Sequence, residues 1–111
     1  MKADENFFSL VYQVVRLVPE GRVTSYGAIA QYLGLKSGAR MVGWAMNAAH
    51  ILADVPAHRV VNSKGLLTGK MHFSTFTAME ELLIAENIIV ENNQVKDFEM
   101  VFWNPVIELA L

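Results

Sequence analysis

Three histidines of this 111-residue chain, His50, His58 and His72, are of a type that could coordinate a metal ion. They lack the spacing and the fourth partner of a zinc site. The chain contains no cysteine, which excludes a thiolate nucleophile, a disulfide and a thiolate metal site. It also lacks a glycine-rich phosphate loop and a serine–histidine–aspartate set of recognisable spacing. We therefore predict no metal, no cofactor and no independent catalytic residues.

Charge divides the chain into a basic and an acidic part. Residues 16–70 carry a net charge of +5 and residues 71–111 a net charge of −6, within an overall charge of −2. The central bases are Arg16, Arg22, Lys36, Arg40, Arg59, Lys64 and Lys70. This uneven distribution of charge favours a protein with one face that binds phosphates and another that binds other partners. Surface charges scattered by chance would give the same count. A protein-interaction module that uses the acidic half remains an alternative.

Composition predicts one globular domain, residues 1–111. The hydrophobic fraction of 53% is ample for a packed core and argues against disorder. No apolar run approaches the roughly 18–20 residues that span a bilayer, and the first residues show no signal-peptide pattern. We expect a cytoplasmic protein without membrane association. No clear oligomer stripe is visible, so we expect a monomer.

Apolar periodicity predicts a helix over residues 5–18. Its buried stripe consists of Phe7, Leu10, Val11, Val14, Val15 and Val18. Thr24 or Ser25 can cap a short second helix that Gly34 ends. A further short helix is predicted over residues 39–49 after a tight turn. Two short helices joined in this way indicate a helix-turn-helix.

The remaining segments predict a few strands and one more helix. Residues 55–62 are short and rich in β-branched side chains, which favours an extended segment. Residues 75–89 predict a helix whose inward positions are Phe76, Met79, Leu82, Leu83 and Ile89. Residues 95–101 are predicted to form a short hairpin or wing with the segment before them, and the aromatic tail at 102–105 to pack on the body. The predicted fold class is mainly α, a winged-helix-like helix-turn-helix domain with a few short strands.

Three motifs, in order, carry a resemblance to a known family. They are Gly21-Arg22-Val23-Thr24-Ser25-Tyr26-Gly27, Ala39-Arg40-Met41-Val42-Gly43-Trp44-Ala45-Met46 and Pro56-Ala57-His58-Arg59-Val60-Val61. They resemble the DNA-binding domain of the O6-alkylguanine-DNA alkyltransferases, whose active-site motif reads Pro-Cys-His-Arg-Val. Ala57 stands at the position of the alkyl-accepting cysteine, and a methyl group cannot act as the nucleophile. The chain thus resembles the alkyltransferase-like members of the family, which bind the lesion without repairing it.

The resemblance implies a DNA-binding surface on the third helix. Arg40 matches the arginine finger that enters the base stack when guanine is flipped out, where a planar guanidinium can stack and donate hydrogen bonds. Ala39 and Gly43 keep this helix small-sided, so that it can approach the minor groove closely. Tyr26 matches a tyrosine that meets the phosphate of the flipped nucleotide. Without the resemblance, a solvated arginine and a half-buried core tyrosine are the simpler interpretations.

The resemblance also implies a lesion pocket and a vestigial catalytic site. The expected pocket residues are Tyr26, Pro56, Ala57, His58, Arg59 and Val60. His58 and Glu86 match the pair that activates the family cysteine through a water molecule. With Ala57 they form a vestigial site, and we expect them to persist as a structural hydrogen-bond network with Arg59.

Three features depart from the family pattern. Ala49 stands where alkyltransferases keep an asparagine that braces the active-site segment. Trp44 stands where they keep a small residue, and either a stacking surface or a core tryptophan is compatible with the sequence. Residues 68–74 correspond in position to the loop that closes over the flipped base but lack its Ser-Gly-Gly pattern.

The resemblance implies a non-enzymatic sensor. It would bind duplex DNA containing O6-alkylguanine through the minor groove, flip the base and flag it for nucleotide-excision repair. The alternatives are a general winged-helix DNA-binding protein without lesion selectivity and an enzyme that uses another nucleophile. No serine, threonine or lysine occupies position 57 to support the last of these.

Overall fold

The computed structural model describes residues 3–35 and 38–110, which are mainly helical with a few short strands. In chain order the elements are α1 (Ala3–Leu17), β1 (Thr24–Ser25), α2 (Tyr26–Tyr32), α3 (Ala39–Ala48), β2 (Val60–Val61), α4 (Ala78–Ala85), β3 (Val90–Glu91), β4 (Gln94–Val95), α5 (Phe98–Val101) and α6 (Pro105–Glu108). Short 3₁₀ turns cover Ala49–Ile51, Ala57–Arg59 and Lys70–His72. The predicted fold class is confirmed.

The first core lies where α1 meets α2 and α3. The predicted stripe of α1 is buried at Phe7, Val11, Val14, Val15 and Val18. Leu10 was predicted inside but is 46% exposed, because about 100° of helix rotation separates it from Val11 and places it beyond the stripe. The Tyr12 hydroxyl donates to the Ala45 carbonyl over 2.8 Å and ties α1 to α3.

Local signals define the helix-turn-helix formed by α2 and α3. The Ser25 hydroxyl accepts a hydrogen bond from the Ala28 amide over 3.1 Å and caps α2. Gly34, at φ +75°, lets the chain leave α2 in a left-handed conformation. The Leu35 amide then donates to the Ala30 carbonyl over 3.0 Å, as a Schellman ending requires. Lys36 lies outside the described residues.

A parallel strand pair separates two cores. β1 pairs with β2 in the register Thr24 with Val60 and Ser25 with Val61. Because successive strand residues point to opposite faces, Val60 enters the helical core. Val61 enters a second core, which also contains Val23, Leu67, Met79, Leu83, Ile88 and Val95. β2 is thereby held between two apolar clusters.

The helix predicted over residues 75–89 is shorter than expected. It covers Ala78–Ala85, because Asn87 adopts a left-handed conformation with φ +67° and ends it. Met79 and Leu83 are fully buried as predicted. The other three predicted inward positions are exposed, because they lie outside α4 or on its solvent face; they are Phe76, Leu82 and Ile89.

The C-terminal part corrects the extent of the predicted hairpin or wing and confirms the packed tail. The antiparallel hairpin joins β3 to β4 through Asn92 and Asn93, and residues 98–101 are the helix α5 rather than a strand. Both asparagines adopt positive φ values, 51° and 65°, which a tight turn requires. Trp103 is buried, and its amide donates to the Val23 carbonyl over 2.7 Å.

Candidate nucleic-acid interface

A short turn places Ala57 in the wall of the first of two concavities. Pro56 precedes a 3₁₀ turn over Ala57–Arg59, and β2 then anchors the chain between the two cores. The cleft has a volume of about 530 Å³. Its lining consists of Arg16, Ala49, His50, Leu52, Ala53, Asp54, Val55, Pro56, Ala57, His58, Arg59, Phe73 and Leu82. Four predicted pocket residues, at positions 56–59, thus share one cleft.

Glu86 joins His58 and Arg59 in one hydrogen-bonded network beside Ala57. The His58 Nε2 donates to Glu86 Oε2 over 2.6 Å. Arg59 donates to the same carboxylate through Nε, over 3.0 and 3.1 Å, and through Nη2 over 2.8 Å. The Gly21 amide donates to Oε1 over 2.9 Å. The side chains of His58, Arg59 and Glu86 are at most 16% exposed, so the network is largely removed from water.

The network keeps Glu86 ionised. Burial alone would raise the pKa of this carboxyl group, but hydrogen bonds from Arg59, His58 and the Gly21 amide outweigh it and lower the pKa from 4.5 to about 2. Arg59 Nη1 also donates to the Val18 carbonyl over 2.9 Å, which connects the network to the end of α1. The predicted hydrogen-bond network of the vestigial residues is therefore present in the structure.

The exposed face of α3 borders the second concavity, a hollow of about 250 Å³. It is lined by Tyr26, Ala39, Arg40, Gly43, Trp44, Asn47, Thr68, Gly69 and His72. All four predicted DNA-binding residues, Tyr26, Ala39, Arg40 and Gly43, therefore lie together. Trp44 is 54% exposed on this face, so of the two interpretations of its sequence position, the core tryptophan is wrong.

Tyr26 forms the floor of the hollow and faces the loop over residues 68–74. Burial raises the pKa of its phenol, while a hydrogen bond with the Thr68 side chain acts in the opposite direction. The phenol therefore stays protonated near neutral pH and can donate a hydrogen bond to an anion. Gly69 approaches so closely that a Cβ atom there would lie 2.8 Å from the Tyr26 hydroxyl oxygen. A side chain at position 69 would therefore require the Tyr26 hydroxyl to shift.

Aromatic contacts hold the same loop against the end of α3. The ring of Phe73 meets that of His50 edge-on, with centroids 4.5 Å apart. The ring of His72 lies 6.3 Å from that of His50. Burial lowers the pKa of His50, and the positive charge of a protonated His72 lowers it further. His50 and Phe73 line the cleft at Ala57 while His72 lines the hollow, so the loop borders both concavities.

Two predicted pocket residues lie outside the cleft. Tyr26 lines the hollow instead, as described above. Val60 was also expected in the pocket, but strand alternation turns its side chain into the helical core, where it is 1% exposed. No local sequence signal indicated Arg16 as a lining residue, because it lies on α1, about 40 residues before the motif. It pairs there with Asp54 over 2.9 Å.

Several bases of the central segment have internal partners and are not free for phosphates. Arg59 is bound to Glu86. Arg22 donates to the carbonyls of Val101 and Phe102 over 3.0 and 2.6 Å. Arg16 is paired with Asp54 over 2.9 Å. The net charge of the segment therefore overstates the positive charge available at the surface.

The described residues contain no group of three or more histidine, aspartate or glutamate side chains able to hold a metal ion. Within the same residues, no helix has both the length and the apolar character needed to cross a membrane.

Comparisons with known proteins agree with the geometry. A family model described as 6-O-methylguanine DNA methyltransferase, DNA binding domain, matches residues 6–88. A DNA base-flipping protein of Escherichia coli is 33% identical over 106 residues, which cover 94% of this chain and 79% of that protein. Alkyltransferase-like protein 1 of Schizosaccharomyces pombe is 47% identical over 68 residues, or 61% of this chain. That match spans 62% of the yeast protein.

Solved structures show the same relationship. Schizosaccharomyces pombe Atl1, in complex with damaged DNA containing O6-carboxymethylguanine, superposes with a TM-score of 0.80 at 34% identity. The superposition covers 95% of this chain and all of that one. The O6-methylguanine methyltransferase of Mycobacterium tuberculosis gives a TM-score of 0.64 at 30% identity and covers 86% of this chain and 54% of that one. This chain belongs to the family of the 6-O-methylguanine DNA methyltransferase DNA-binding domain.

Proposed function

We propose that this protein is a non-enzymatic sensor of O6-alkylguanine in duplex DNA. The exposed face of α3 binds the minor groove, Arg40 fills the space left by the flipped guanine, and the cleft at Ala57 receives the base. The flagged site is then passed to nucleotide-excision repair. The observation that carries the proposal is the position of Ala57, in the wall of a cleft beside the hydrogen-bonded pair of His58 and Glu86.

The chemistry at position 57 supports binding without transfer. Alkyl transfer from O6 of guanine needs a nucleophile that forms a bond to the alkyl carbon as the carbon–oxygen bond breaks. A methyl side chain has no electron pair to donate, and the chain has no cysteine. The neighbouring His58 and Glu86 are tied to each other and to Arg59, so their remaining role is to support the cleft.

Lesion selectivity has a thermodynamic source in this arrangement. Extruding a base from a duplex costs a few kcal/mol and costs less where its pairing is already weak. An O6-alkylated guanine pairs poorly with cytosine, so it leaves the stack more readily than guanine. Ala49 and Ala57 both present small side chains to the cleft, which leaves space for the alkyl group. Both effects lower the free energy of the complex with the lesion relative to undamaged DNA.

The proposal is tested by fluorescence anisotropy with two matched duplexes, one with O6-methylguanine and one with guanine. Protein mass is measured after the incubation. We expect tighter binding to the lesion and an unchanged mass. Equal affinities would indicate a general winged-helix DNA-binding protein, and a mass gain of one methyl group would indicate an enzyme. Either result would contradict the proposal.

A further inference from the structure

Trp44 lies on the exposed face of α3, and the proposed function gives it no role. Its indole is 54% exposed, although the helix around it presents small or polar side chains such as Ala39, Gly43 and Asn47. Large aromatic side chains contribute most to stability when they are buried, so the exposed Trp44 adds little to the core, and its ring stays open to contacts at the surface.

The indole contacts Arg40. The guanidinium carbon of Arg40 lies 5.7 Å from the ring centroid of Trp44, within the range of a cation–π contact. The two residues are four positions apart on α3, which places them one above the other on the same face. Among the described residues, Arg40 forms no hydrogen bond and no salt bridge. The first turn of α3 has no acidic residue that could attract it.

We propose that Trp44 is a positioning residue for Arg40, whose indole keeps the guanidinium directed at the DNA. The proposal rests on the proposed function, because it assigns Trp44 to the finger that replaces the flipped base. Both side chains line the hollow that also contains Tyr26 and Gly69, so the contact holds Arg40 toward that surface.

The physical effect is a smaller loss of side-chain freedom on binding. A free arginine side chain samples many rotamers, and its entry into a base stack selects a few of them. A partner that restricts the side chain beforehand reduces this loss. The distance of 5.7 Å is close to the limit of about 6 Å for such contacts, so the indole orients the guanidinium without locking it. From the usual cost of immobilising one rotamer-rich side chain at an interface, removing the ring should weaken binding about three- to fivefold.

The test is a double-mutant cycle on an O6-methylguanine duplex, with binding measured by anisotropy. Trp44→Leu removes the π face, Trp44→Phe keeps an aromatic face, and each is made with and without Arg40→Ala. We expect Trp44→Leu to weaken binding about three- to fivefold when Arg40 is present and to change it less than about 1.5-fold when it is absent. Trp44→Phe should restore most of the affinity.

A matched control and a DNA-free measurement accompany the cycle. Tyr32, an exposed aromatic residue on α2, lines neither concavity, so Tyr32→Leu should leave binding unchanged. In the free protein, the Arg40 side-chain protons should show an upfield ring-current shift by NMR. Trp44→Leu should abolish this shift and Trp44→Phe should retain it.

The outcomes separate this proposal from the proposed function. A loss that is equal with and without Arg40 would show an independent DNA contact and overturn the positioning role. Unchanged or tighter binding of Trp44→Leu, or the absence of the ring-current shift, would overturn it as well. Equal affinity of the unsubstituted protein for damaged and undamaged duplex would overturn the proposed function, together with the finger role on which this proposal depends.

Discussion

The network beside Ala57 and the exposed face of α3 differ in how their charged groups are partnered. In the network, Glu86 accepts hydrogen bonds from Arg59, His58 and the Gly21 amide in largely buried surroundings. On α3, Arg40 is exposed, and its one described contact is the ring of Trp44. The first region is fixed before any ligand arrives, while the second keeps an arginine available.

The contrast assigns different tasks to the two regions. A closed, desolvated network stabilises the fold and fixes the shape of a cleft, because each of its members loses its partner if another is removed. An exposed cation on a small-sided helix contributes little to folding and keeps its hydrogen-bonding capacity for a partner. Substitutions in the network should therefore change stability, and substitutions on α3 should change DNA binding.

Glu86→Ala should have the largest effect. It leaves Arg59 buried without its carboxylate, and breaking a buried ion pair in this way costs about 3–5 kcal/mol of unfolding free energy. Urea denaturation measures the loss. Glu91→Ala is the matched control, because Glu91 forms an exposed pair with Lys96 at 3.2 Å. It should change stability by less than about 0.5 kcal/mol. A loss below about 1 kcal/mol for Glu86→Ala would show that the network does not stabilise the fold.

Acid should remove part of the same stabilisation. The pKa of Glu86 is about 2 in the folded chain and near 4.5 when unfolded, so its contribution is complete above pH 4.5 and is lost as the pH falls toward 2. The shift corresponds to about 3 kcal/mol. We expect urea denaturation between pH 5 and 3 to show a stability slope that Glu86→Gln flattens. An identical slope in both proteins would assign the acid sensitivity to other groups.

Arg40→Ala should have the next largest effect, on binding alone. Without the finger, the cavity left by the flipped base is unfilled, and we expect a loss of about 2 kcal/mol, or roughly 30-fold, on the lesion duplex. Anisotropy measures the affinity, and urea denaturation should show unchanged stability. Lys64→Ala is a charge-matched control on an exposed loop and should weaken binding less than about threefold. Equal losses for the two variants would reduce Arg40 to a general phosphate contact.

Ala57→Cys should have the smallest effect. The cysteine would lie next to His58 and Glu86, but the buried Ala49 cannot donate the bracing hydrogen bond of the family asparagine. The loop at residues 68–74 also departs from the family pattern. We expect affinity within about twofold of the original, and no gain of mass with O6-methylguanine DNA. A stoichiometric gain of one methyl group would show that the sulfur alone was missing.

Local signals in the sequence predicted the elements that depend on local chemistry. The cap at Ser25, the helix end at Gly34 and the buried positions of α1 at helical spacing all follow from side-chain type and spacing. The errors concern tertiary context. Leu10 satisfies helical periodicity, yet it is 46% exposed at the edge of the buried stripe of α1. The end of α4 depends on Asn87 taking a left-handed conformation, which its sequence permits but does not require.

The site was predictable only where a motif was present. The motif of residues 56–61 indicated the position of Ala57 and its neighbours, and the resemblance paired His58 with Glu86 across 28 residues. Counting charges could not distinguish Arg40, which is exposed, from Arg59, which is buried in an ion pair. The contact of Trp44 with Arg40 was equally hidden, because its four-residue spacing also suits a buried tryptophan.

Base extrusion is the central claim, and fluorescence of 2-aminopurine placed next to O6-methylguanine tests it most directly. This base analogue is quenched within the stack and brightens when its neighbour leaves. We predict a saturable rise with the unsubstituted protein that Arg40→Ala largely abolishes, at protein concentrations that saturate both. Saturated binding of the unsubstituted protein with no rise in fluorescence would show that the lesion stays in the helix, and would contradict the account.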